Sequence, residues 1–132
     1  MIISLSNIHL ATEQQVFDQV AKHLLTQAER CTTNEINIEK SKCRYRNYKG
    51  HKCAGGCLIA DDEYNEWQME GHSWVGLVGH NTYFPNADQH FKLVSDLQKL
   101  HDVIEPASWL SELYKVTMVY NLNHYALLSF IK

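Results

Sequence analysis

The chain has 132 residues, 45% of them hydrophobic and 11% aromatic, and carries a formal net charge of −3. That length supports one domain, residues 1–132, whose core needs no metal or disulfide, and the composition excludes a disordered chain. The small net charge argues against a general nucleic-acid binder, and no apolar stretch approaches the roughly 20 residues that span a bilayer.

The opening MIISLSNIHLATEQQ has no basic leader, sustained apolar run or small-residue cleavage site, which predicts a cytoplasmic protein whose four cysteines stay reduced. Thr12 followed by Gln15 forms a capping-box pattern, and Val16, Phe17, Val20, Leu24 and Ala28 recur at helical spacing, predicting a helix over about 12–30. Residues 32–41 suit a loop or weak edge strand. Residues 42–48 alternate as a strand, with Cys43 and Tyr45 on one side and Arg44 and Arg46 on the other. Tyr48-Lys49-Gly50-His51 supplies a turn, and His51 to Ala54 returns as the hairpin partner.

Gly55-Gly56 breaks that run before the apolar Cys57-Leu58-Ile59-Ala60, and residues 61–86 read as an ordered but irregular excursion. Asp88 is placed to cap the next helix, whose stripe is Phe91, Val94, Leu97, His101 and Ile104. Pro106 fits the first turn of a further helix with Trp109, Leu110, Leu113, Val116 and Tyr120 inward, and Asn121 and Asn123 are its stops. The tail HYALLSFIK is apolar enough to dock as a last strand or helical turn. The expected architecture is α+β, about three helices packed around a small antiparallel β-hairpin.

Three chemistries compete in residues 43–64. Cys43, Cys53 and Cys57 with His51 offer the soft donors that zinc prefers, and His72 or His80 are other candidates for the fourth ligand. The cysteine spacings, nine and then three intervening residues, match no familiar zinc knuckle, and buried free thiols explain them as well; the expectation is no cofactor. A nucleophilic Cys53 activated by His101 would make a cysteine hydrolase or transferase. Against it, His101 falls on the apolar stripe, and Asp102 points about 100° away around the helix, poorly placed to orient the imidazole. The third is charge: Lys40, Lys42, Arg44, Arg46, Lys49 and Lys52 precede an acidic block of Asp61, Asp62, Glu63, Glu66 and Glu70. Arg44, Arg46 and Lys49, with Tyr48, Trp67 and Trp74 for stacking, form a candidate surface for an acidic partner or a small anionic ligand. The alternative is that the two blocks pair with each other, Arg46 with Asp61 or Glu70.

The run Cys43-x-Tyr45-Arg46, Gly50, then Cys53-Ala54-x-Gly56-x-Leu58-Ile59-x-Asp61-x-x-Tyr64, followed by Met69-Glu70-Gly71, Leu97-Gln98-x-x-His101-Asp102 and Trp109, resembles a group of small accessory proteins encoded by phages and prophages. Ala60 stands where that group more often has proline. The resemblance spans about residues 14–120 and brings no catalytic set. It implies a phage-type protein in bacterial cytoplasm, of the kind that engages or inhibits a host protein, including a defence protein. The oligomeric state is not written in these motifs.

Overall fold

A computed structural model describes residues 1–33, 43–79 and 84–131. The weak strand expected over 32–41 falls almost wholly outside them, as do Lys40, Lys42, His80 and Tyr83. The fold is helical, 54% helix and 3% strand, with no sheet or β-hairpin among the described residues; the α+β expectation is therefore corrected to an all-helical one.

Helix α1 spans Glu13–Gln27 and begins with the anticipated box: Thr12 Oγ1 accepts from Gln15 N–H, and Gln15 Oε1 accepts from Thr12 N–H. It buries Val16, Phe17, Val20, Ala21 and Leu24, and it stops short of residue 30 because Ala28 turns left-handed at φ 58°. Two short helices follow, α2 (Glu66–Met69) and α3 (Trp74–Gly79). Helix α4 (Phe91–Val103) buries Leu93, Val94, Leu97, Leu100 and His101. Its cap is His90, at φ 67°, and not Asp88, whose backbone carbonyl merely accepts from Phe91 N–H. The His90 ring donates to the Ala11 carbonyl at 2.6 Å, tying the start of α4 to the turn that precedes α1. Pro106 opens a 3-10 turn leading into α5 (Trp109–Val119), and a 3-10 stretch at Tyr125–Phe130 packs on α1 and α5. Helix α1 lies at the centre, against α4, α5 and the Gly56–Leu58 turn, while α3 packs on α4.

The missing hairpin has a definite cause. The chain does reverse at 47–50, with Gly50 at φ 79°, but only Arg46 and Lys52 bridge. Two further backbone bonds link the arms, Cys53 N–H to the Tyr45 carbonyl and Asn47 N–H to the His51 carbonyl, both at 3.3 Å, and side chains from elsewhere take several of the other backbone groups. Glu70 accepts from the Tyr45 and Arg46 amides at 3.0 and 3.1 Å, and Gln27 brackets Lys52 by accepting from its N–H and donating to its carbonyl. The amino-terminal segment is held the same way. Gln19 brackets Ile3, and the Glu63 carboxylate accepts from Ser4 Oγ and the Leu5, Ser6 and Ala60 amides. A buried backbone needs partners, and here carboxylates and amides supply them in place of a neighbouring strand.

Gly56 marks the tightest point of this corner. A Cβ built on it would lie 2.1 Å from the Tyr45 carbonyl oxygen, so backbone contact, not an unusual φ, demands glycine.

Candidate functional site

The basic and acidic blocks meet. Arg46 reaches Asp61 at 2.9 Å, donates to the Ile59 carbonyl at 2.6 Å and lies 4.7 Å above the Tyr64 ring, leaving only its Nε without a partner. Arg44 binds Glu66 at 3.1 Å and approaches Glu70 at 3.8 Å. Lys52 approaches Asp61. The carboxylates of Asp61 and Glu66 are largely solvent-exposed, so these pairs are individually weak, but they occupy the arginine face that the sequence offered to a ligand.

The aromatic candidates separate. Trp74 is buried, tilted against Tyr45 at 6.3 Å. Trp67, on α2, is 94% exposed, and Tyr48 is 70% exposed with the Lys49 ammonium 6.0 Å from its ring centre. Tyr48, Glu66, Arg44 and Arg46 share one groove of about 530 Å³. What stays open to a partner is thus the outer part of the expected surface: Trp67, Tyr48 and Lys49.

The expected zinc set does not assemble. Cys57 donates to the Ala54 carbonyl, Cys53 accepts from Gly56 N–H, and His51 faces Glu29 at 3.4 Å. Among the described residues a different trio converges, Cys43, His101 and Asp102, with one donor atom of each within 4.8 Å of the others. Asp102 does orient its neighbour, contrary to the helical-wheel argument: His101 Nδ1–H donates to Asp102 Oδ1 at 2.7 Å. On the opposite edge His101 Nε2 accepts from Cys31 N–H at 2.9 Å. The imidazole is fully buried and stacks on Trp109. Gln98 donates to the same Asp102 oxygen at 2.8 Å and accepts from Gly55 N–H at 2.9 Å.

This relay uses both ring nitrogens. Metal at Nδ1 would send that proton to Nε2, where it would face the Cys31 N–H head-on. Activation of Cys53 by His101 meets the same obstacle, since neither nitrogen is free to take a thiol proton. The thiols agree. Burial pushes Cys53 well above the usual thiol range and Cys31 and Cys57 to about 12. Cys43 is the exposed one, yet partial desolvation of its thiol and the hydrogen-bonded Asp102 carboxylate push it to about 12. Asp102 itself is opposed by burial, but hydrogen bonds from His101, Cys43 and Gln98 hold it below the usual carboxylate range.

Sequence reasoning named Glu70 only as a possible ion-pair partner, dismissed Asp102 as an orienter and gave Gln98 no role, although the Met-Glu-Gly and Leu-Gln-x-x-His-Asp motifs contain all three. Their geometry gives those motifs a structural meaning, as clasps that hold loops onto helices. Comparison with family models, curated proteins and solved structures returns no match. No helix among the described residues is long and apolar enough to cross a membrane.

Proposed function

We propose that the chain is a non-enzymatic, phage-type accessory protein that engages a host protein in bacterial cytoplasm through Trp67, Tyr48 and Lys49. The observation that carries this reading is the nearly complete exposure of Trp67 on a helix whose neighbouring Met69 is buried. A large aromatic held out from an anchored element is the residue type that dominates binding at protein interfaces. The raised thiols and the two occupied ring nitrogens of His101 weigh against the Cys53–His101 enzyme and so favour binding. The bacterial and phage setting rests on the resemblance of the Cys-x-Tyr-Arg, Cys-Ala-x-Gly and Leu-Gln-x-x-His-Asp motifs.

A small anion on the arginine face is the second reading, supported by the unpartnered Arg46 Nε and the exposed carboxylates that an anion would displace. Affinity capture from bacterial lysate separates the two. The protein-binding reading expects a stoichiometric partner with wild type and with Arg46→Ala, and its loss with Trp67→Ala. Loss with Arg46→Ala alone would favour the anion, and recovery of nothing by any form would reject both.

A further inference from the structure

Between α3 and α4 lies a cleft of about 420 Å³ whose lining includes Trp74, Ser95, Gln98, Lys99, Asp102 and Cys43. Two buried polar atoms on residues of this cleft, Trp74 Nε1 and Ser95 Oγ, have no hydrogen-bond partner, and the Trp74 residue is only 1% exposed. By contrast, the indole nitrogen of Trp109 donates to the Ile104 carbonyl at 2.9 Å. Buried indole N–H groups ordinarily find an acceptor, so the pair of orphans in one cleft calls for explanation.

Both orphaned atoms can donate: the indole N–H does nothing else, and the Ser95 hydroxyl donates or accepts. Asp102 Oδ1 already accepts from Gln98 and His101, and Glu70 accepts from Tyr45, Arg46 and Tyr64. The Gln98 amide is spent at both ends. Arg44 on the rim is paired with Glu66, so the donors that a ligand could engage include the Trp74 N–H, the Ser95 O–H and the Lys99 ammonium, which has no ion-pair partner among the described residues. These donors suit an oxygen acceptor bearing negative charge. A phosphate dianion would set two charges in a cleft that already holds the Asp102 and Glu70 carboxylates, whereas a carboxylate brings one.

We infer that this cleft binds a small organic monocarboxylate, whose oxygen accepts from Trp74 Nε1–H and Ser95 Oγ–H and whose charge faces Lys99. The site is separate from the Trp67 surface and does not depend on the binding reading given above.

Amide and indole N–H spectra of the ¹⁵N-labelled full chain test it, during titration with sodium propionate, benzoate and glutamate against sodium phosphate at matched ionic strength. At least one carboxylate should shift the Trp74 indole resonance saturably while those of Trp67 and Trp109 stay put. Ser95→Ala and Lys99→Gln should each weaken that carboxylate about tenfold, the equivalent of one lost charge-assisted contact. Ser95→Ala should leave thermal stability unchanged or raised, because it removes an unpaired hydroxyl from a helix. An unmoved Trp74 resonance, an equal response to phosphate, or a binding constant insensitive to both substitutions would overturn the assignment. So would a lowered melting temperature for Ser95→Ala, which would mean that the hydroxyl already serves the indole.

Discussion

His101 and Asp102, consecutive in sequence, face each other at 2.7 Å, and through them Gln98 and the Cys31 amide are joined into one hydrogen-bonded line. The line fastens the Gly55 corner and the exit of α1 to α4. Its loss would be felt as destabilisation. His101→Ala opens a cavity beside Trp109, leaves the Cys31 N–H without its acceptor and takes one of several donors from the Asp102 carboxylate, and it should cost about 3 kcal/mol or more, read by urea unfolding.

Asp102 and Glu63 are both held below the ordinary carboxylate range, in each case by hydrogen bonds that outweigh the opposing effect of burial. Groups with depressed folded values stabilise above their unfolded values and lose that contribution as pH falls through the folded ones. The melting temperature should therefore fall in two stages on acidification: first below about 6.5, where the unfolded chain protonates His23 more readily than the fold, whose burial of the ring lowers its value, and then from about 4 downward as the carboxylates titrate. Glu63→Gln should flatten the second stage and lower stability at pH 7; an unchanged acid profile would count against the Glu63 clasp.

Thiol labelling reads the Cys43–Asp102 contact. In the native protein only Cys43 is exposed, and it should react slowly at neutral pH because its thiol is held near 12. Asp102→Asn removes a nearby negative charge, so Cys43 should react faster while Cys31, Cys53 and Cys57 stay protected. A fast Cys53 in the wild type would instead revive the cysteine-enzyme reading.

Gly56→Ala should be among the most damaging single substitutions in the chain. The new methyl would collide with the Tyr45 carbonyl at 2.1 Å, and backbone cannot yield as a flexible side chain can. The expected cost is roughly 3 kcal/mol or more, measured by denaturant unfolding, against a mild effect for the open, positive-φ Gly71→Asn.

The parts of the fold that local pattern dictates were legible in the sequence. Thr12 and Gln15 announced the start of α1, and Pro106 and Asn121 bounded the last long helix because each acts on its own few residues. The hairpin failed for the opposite reason. Alternation at 43–48 is real, but what the Tyr45 and Arg46 amides bond to is decided by Glu70, 25 and 24 residues away, and no local period reveals that. The dismissal of Asp102 failed on geometry: the angle between consecutive residues separates Cβ directions, whereas imidazole and carboxylate tips can still meet. Pairing of Arg46 with Asp61, by contrast, was one of the two outcomes the charge pattern allowed.

Trp67→Ala should leave stability within about 0.5 kcal/mol, as expected for a surface position free of packing. That separates a binding role from a folding role before any partner is sought.

The central claim is a protein-binding surface at Trp67, and site-directed photo-crosslinking tests it most directly. Benzoylphenylalanine placed at Trp67 should yield one discrete adduct with a bacterial protein, while the same group at the exposed Leu10 should yield none. No discrete adduct at Trp67, or equal adducts at both positions, would contradict it.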